Sequence, residues 1–212
     1  MTSGEKISWG AFSLVVVVII GGTFAWRMAN PQASGAHSIG ELLQDPASLP
    51  GLLATEGPWD NNLAQLSQRL DAMQFPKTAM EGAAMHIHQQ MVIFVNGAQV
   101  GIPADIGIGQ NFFSPIHVHD TVGIIHVESP VPSTFYLGQV FDVWGVRFTQ
   151  ECIGGFCADE DDTLRVYVNG ALQEGDPRAI ELRQHDQITV VYGTESEIPA
   201  EIPSSYTFPQ GY

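Results

Sequence analysis

The chain has 212 residues and carries 23 acidic against 8 basic side chains, a formal charge of −15. That length supports one domain with its own core plus accessory segments. With no basic stripe to neutralise phosphates, nucleic acid is excluded as a partner class, and anionic headgroups would repel the domain.

In chain order, the first element is apolar. No charge occurs from Ser8 to Ala25, and Leu14 to Ile20 is a continuous branched run. Eighteen residues at helical rise span about 27 Å, enough for a hydrocarbon core. Trp9 and Trp26 stand at the two ends, where amphipathic rings favour the interface. The reading is a transmembrane anchor over 8–26. A cleaved signal peptide is the alternative, but the run is long for one, and Ala25-Trp26-Arg27 is a poor cleavage site. Lys6 and Arg27 nearly balance, and the short N-terminal tail favours tail inside and domain outside.

Residues 27–59 are rich in Pro, Gly, Ala and Ser and read as a stalk. In the segment 60–76, Asp60 is a candidate N-cap. Leu63, Leu66, Leu70 and Met73 recur at helical spacing, predicting an amphipathic helix over 61–74 that Pro76 ends. A β domain follows over 80–197. Met91-Val92-Ile93-Phe94-Val95 runs into Asn96-Gly97, and Leu164-Arg165-Val166-Tyr167-Val168 into Asn169-Gly170; both are hairpin signals. Between them lie short strands near 115–119 and 124–128, then a helix from Leu137 to Trp144 stopped by Gly145. The last strand is Asp186 to Gly193, and residues 198–212 form an extended, Pro-rich surface tail. The fold class is α+β, mostly β: a β-grasp-like or small sandwich domain after one N-terminal transmembrane helix.

The histidines carry the chemistry. His86-Ile87-His88, His117-Val118-His119 and His126-Val127-Glu128 each place two polar side chains two residues apart. On a strand such a pair shares one face, and the residue between points to the other. A two-residue tip at Thr121-Val122 sets His117 opposite His126, at a separation suited to two ligands on one ion. The same counting across Asn96-Gly97 sets His88 opposite Asp105. His86, His88, His117, His119 and His126 are therefore the candidate metal ligands, with Glu128, Asp120 and Met85 as further donors. Imidazole suits copper and zinc alike. Met80, Met85 and Met91 lie near the first pair, and thioether tips the choice towards copper. The rival reading is a pH-sensitive polar cluster without metal. His37 and His185 read as ordinary polar surface.

His117-Val118-His119-Asp120, Gly123-Ile124-Ile125-His126-Val127-Glu128-Ser129-Pro130 and Leu137-Gly138-Gln139-Val140-Phe141-Asp142-Val143-Trp144-Gly145 together resemble an uncharacterised family of membrane-anchored or secreted prokaryotic proteins. The resemblance covers about 75 to 193, including His86-Ile87-His88 and both Asn-Gly turns, and implies no activity. Locally, His117-Val118-His119 resembles the copper-ligand strand of copper/zinc superoxide dismutases, over three residues only.

Cys152 and Cys157 flank Ile-Gly-Gly-Phe and read as a structural disulfide in an oxidising compartment. Asp159-Glu160-Asp161-Asp162 lacks the spacing of a calcium loop and reads as solvated. No phosphate loop or nucleophile elbow is present. The leading functional expectation is a single-pass, extracytoplasmic copper-binding protein of the cell membrane, serving as carrier or store for a membrane-bound acceptor or complex. A three-histidine zinc or copper enzyme, with Glu128 or Asp120 as base, and a metal-free interaction module of a membrane assembly are the alternatives.

Overall fold

The structure, a computed structural model, describes residues 40–81 and 84–212. The expected anchor over 8–26 and the start of the expected stalk lie outside the described residues, as does His37. Among the described residues, no helix is long and apolar enough to cross a membrane.

One mixed sheet organises the domain, and the class is α+β, mostly β. Its strands are β1 (Met85–Val95), β2 (Ala98–Val100), β3 (Ile116–His117), β4 (Ile124–Ser129), β7 (Thr163–Val168), β8 (Ala171–Leu172) and β9 (Gln187–Gly193). The order is β3-β4-β1-β9-β7-β8, with β2 also pairing β1. β1 and β9 run parallel at the centre; the other pairs are antiparallel. A separate two-stranded ribbon joins β5 (Cys152–Ile153) to β6 (Phe156–Cys157).

The two Asn-Gly turns form as expected. Asn96 and Gly97 take φ of 51° and 76°, and Asn169 and Gly170 take 53° and 80°. Positive φ at both central residues is the turn whose twist matches the strands it joins. The first hairpin is cut short, however: β2 ends at Val100, before Pro103, which has no N–H to extend a ladder. His88 therefore does not face Asp105. Further along the same edge of β1, β4 takes over, and His88 lies opposite His126.

Among the described residues, two α-helices pack against each other and contribute to the core. α1 (Leu66–Ala72) buries Leu66, Arg69 and Leu70; α2 (Leu137–Trp144) buries all eight of its residues. The bounds of α2 and its stop at Gly145, with φ of 75°, match the sequence expectation. α1 is shorter than expected. Asp60 does not cap it: its carboxylate accepts from Asn62 N at 3.0 Å, forming a local turn with Asn62 at φ 47°, and a 3-10 turn at Leu63–Gln65 precedes the helix. Leu63 stays exposed.

Arg69 is the unforeseen member of the α1 stripe. Fully buried, its guanidinium donates to Val143 O at 3.2 Å and to Trp144 O at 3.4 Å, carbonyls that end α2 without helical partners. The expected stalk also contributes to the core where it is described. Leu49 and Trp59 are buried, Leu53 N donates to Gly145 O at 2.7 Å, and Trp59 meets Trp144 edge-on at 5.9 Å. Scattered large apolar side chains outweigh the small residues around them, so residues 49–59 are part of the domain.

Candidate metal centre

Strand alternation sorts β1, β4 and β3 cleanly. Ile116, Val118, Ile125 and Val127 are fully buried in the core beneath α2, and Ile87 packs against it. The histidines alternate with them and occupy the other face. The Thr121-Val122 tip has the expected register, so His117 pairs His126. β1 adds His88 opposite His126 and His86 opposite Glu128. The outcome is a row, His88–His126–His117, across three neighbouring strands, with His86 and Glu128 one step along it and His119 just past the end of β3.

Side chains converge as the register requires. His86 Nε2 and His88 Nε2 are 3.0 Å apart, and His117 Nε2 and His119 Nε2 are 3.2 Å apart. Glu128 Oε1 lies 3.0 Å from His86 Nε2, 3.4 Å from His126 Nδ1 and 4.0 Å from His117 Nε2. Donors on one ion with bonds of about 2.0–2.1 Å stand roughly 3–4 Å apart, so these separations suit coordination. Three overlapping groups of donor atoms lie within 4.8 Å of one another: His86, His88, His126 and Glu128; His117, His119 and His126; and Glu81, His117 and Glu128. Each could hold a metal ion.

Burial grades across the cluster. His88, His117, His126 and Glu128 are buried, whereas the side chains of His86 and His119 are 47% and 38% exposed and form the rim. Removal from water is the main cause that lowers the pKa of His88 and His117 to about 4 and of His126 to about 3, with the neighbouring imidazoles adding to it. All three are neutral at physiological pH, the form that binds metals. For His117 the tautomer follows from its surroundings. Ser114 O lies 3.0 Å from Nδ1 and can only accept, so Nδ1 carries the proton and the Nε2 lone pair faces the cluster. Buried His88 Nδ1 makes no hydrogen bond among the described residues.

Two of the further donors stand elsewhere. Met85 faces the core side of β1 and packs there, as its odd spacing from His86 requires. Asp120 is exposed, and its Oδ1 accepts from Val122 N at 2.8 Å within the hairpin tip. Met91 is buried in the core, Met73 is buried at the end of α1, and Met80 is exposed.

Other neighbours escaped the sequence reading. Glu81 approaches His119 Nε2 at 3.3 Å. Phe113 lies 5.6 Å from the His117 ring, ring centre to ring centre. Tyr212 lies 4.6 Å from His88 and 5.3 Å from His126. The tail brings Tyr212 there through His185, whose Nε2 lies 3.0 Å from Tyr212 O and whose ring stacks on Phe208 at 4.6 Å. Only the acidity of Glu81 and its place shortly before His86 hinted at a role; nothing in the tail marked Tyr212.

The bond between Cys152 and Cys157 closes the β5–β6 ribbon. No protein-family model, curated protein or solved structure matches the chain.

Proposed function

We propose that this chain is a transition-metal-binding protein, copper ahead of zinc, held at a membrane by its N-terminal apolar segment with the β domain outside the cytoplasm. On this reading it carries or stores the ion for a membrane-bound acceptor. One observation carries the proposal: five imidazoles and Glu128, from three adjacent strands and the residues just past β3, line one face in overlapping groups at ligand spacing, and burial keeps three of the imidazoles neutral. The preference for copper rests on the imidazole donor set and on the higher affinity of Cu²⁺ over Zn²⁺ for a given nitrogen site. The methionines no longer contribute to it. The half-exposed His86 and His119 offer an ion a route between solvent and the buried donors, which suits a carrier. We read the sheet as β-grasp-like, on the central parallel pairing of β1 with β9.

A three-histidine enzyme is the second reading, favoured by the group His117, His119 and His126, a donor set that leaves a fourth position for water. Glu128 would be its base, since Asp120 is engaged in the tip. Exposure of the metal-free full chain to an equimolar pool of Cu²⁺, Zn²⁺, Ni²⁺ and Co²⁺, followed by desalting and elemental analysis, tests the proposal. Retention of copper is expected. No retained metal at neutral pH sinks both metal readings.

A further inference from the structure

The donors are too many for one ion, and their arrangement divides them. A four-coordinate ion takes four ligands, whereas five histidines and Glu128 line this face. The pair His86 and His88 and the pair His117 and His119 each have their Nε2 atoms at ligand spacing, 3.0 Å and 3.2 Å. Yet the two pairs never fall in the same group of mutually close donors. His126 belongs with either pair, its ring centre 4.6 Å from that of His88 and 4.6 Å from that of His119. Glu128 also reaches both sides, through His86 at 3.0 Å and His117 at 4.0 Å. Both approaches are to Oε1, and a carboxylate can join neighbouring ions through one oxygen or both; in two-metal sites the ions stand about 3.5–4 Å apart. Register explains the symmetry: β4 lies between β1 and β3 and offers its own two in-phase donors to the pair on each flank.

From this we infer that the centre takes two transition-metal ions side by side. His86 and His88 hold one, His117 and His119 hold the other, and Glu128 lies between them as the shared ligand. The inference rests on the metal-binding reading above and adds the number of ions and the division of the ligands. Exposed Glu81, 3.3 Å from His119 Nε2, stands on the side of the second ion only.

The test is a count. The metal-free full chain is titrated with Zn²⁺ and separately with Cu²⁺, and bound ions per chain are measured after desalting. Two per chain are expected for the unsubstituted protein. The double variants His86→Ala with His88→Ala, and His117→Ala with His119→Ala, should each halve that count while keeping the far-ultraviolet circular dichroism spectrum. One ion per chain in the unsubstituted protein overturns the inference and leaves the metal-binding reading intact, whereas no bound ion overturns both. A count of two that neither double variant lowers places the second ion elsewhere and also overturns it. Should the variants fail to fold, electron paramagnetic resonance of the unsubstituted copper form decides. Two Cu²⁺ sharing a carboxylate couple, so the spin count should fall well below the copper count at the second equivalent and recover in Glu128→Gln. Equal spin and copper counts at two equivalents rule out the shared ligand.

Discussion

His126 is the residue on which the cluster turns: it faces His88 on one strand and His117 on the other, and it is buried between them. His126→Ala should lower metal affinity on the order of 100-fold or more, because it removes a donor common to both histidine pairs. Isothermal titration with Zn²⁺ measures this. The metal-free protein should also respond to pH. His88, His117 and His126 titrate near 4, 4 and 3 when folded, against 6.5 ordinarily. Facing them are His86, His119, His185, Glu81, Glu128 and Tyr212. Below pH 6.5 the unfolded chain therefore binds more protons than the folded one. Stability is full above that point and declines as pH falls towards 4, by at most about 1.4 kcal/mol per pH unit for each histidine titrating. Urea midpoints of metal-stripped protein at pH 7.5, 6.0 and 5.0 should fall in that order; an unchanged midpoint would show that these rings are not buried neutral.

Among the elements, α2 depends on contacts that stop it. Gly145 sits at φ 75°, and a Cβ there would meet Asn62 Nδ2 at 2.5 Å and Arg69 Cζ at 2.7 Å. Gly145→Ala should cost about 2 kcal/mol from backbone strain and crowding together. Arg69→Met keeps the apolar stem but strips hydrogen bonds from buried carbonyls, and should cost about 2–3 kcal/mol. Urea denaturation reads both. α2 itself was legible in the sequence, since Leu137 to Trp144 is an unbroken periodic run ended by glycine. So were both Asn-Gly turns and the face parity of the histidines, which depend on local spacing alone. Arg69 was not, because an arginine on an apolar stripe gives no local sign of the helix end it will cap. Nor was the pairing of His88 with His126. Counting from a turn assumes that the hairpin continues, and Pro103 ends it. The position of Tyr212 depends on the path of a whole tail, which spacing cannot supply.

At the scale of the molecule, the ribbon bond and the proposed topology make separate predictions. Replacing Cys152 and Cys157 by Ser opens a very short loop and should remove about 2 kcal/mol, lowering the melting temperature by about 4–8 °C in a domain of this size. If the domain lies outside the cytoplasm, protease added to intact cells should digest it while the N-terminal segment stays with the membrane; complete protection would overturn that placement. The central pairing of β1 with β9 has a further effect, on the order of assembly. Gln90 and Gln187, partners across it, are 97 residues apart in the chain. Contacts so distant in sequence slow folding, because chain entropy is lost before they form. During synthesis, β1, β3, β4 and the short link between β3 and β4 emerge well before β9, and together they carry the six donors. The ion-binding face can therefore assemble on a half-sheet while β1 still has an open edge. An ion captured at that stage would act as a folding template, fastening the first half until the last strand arrives.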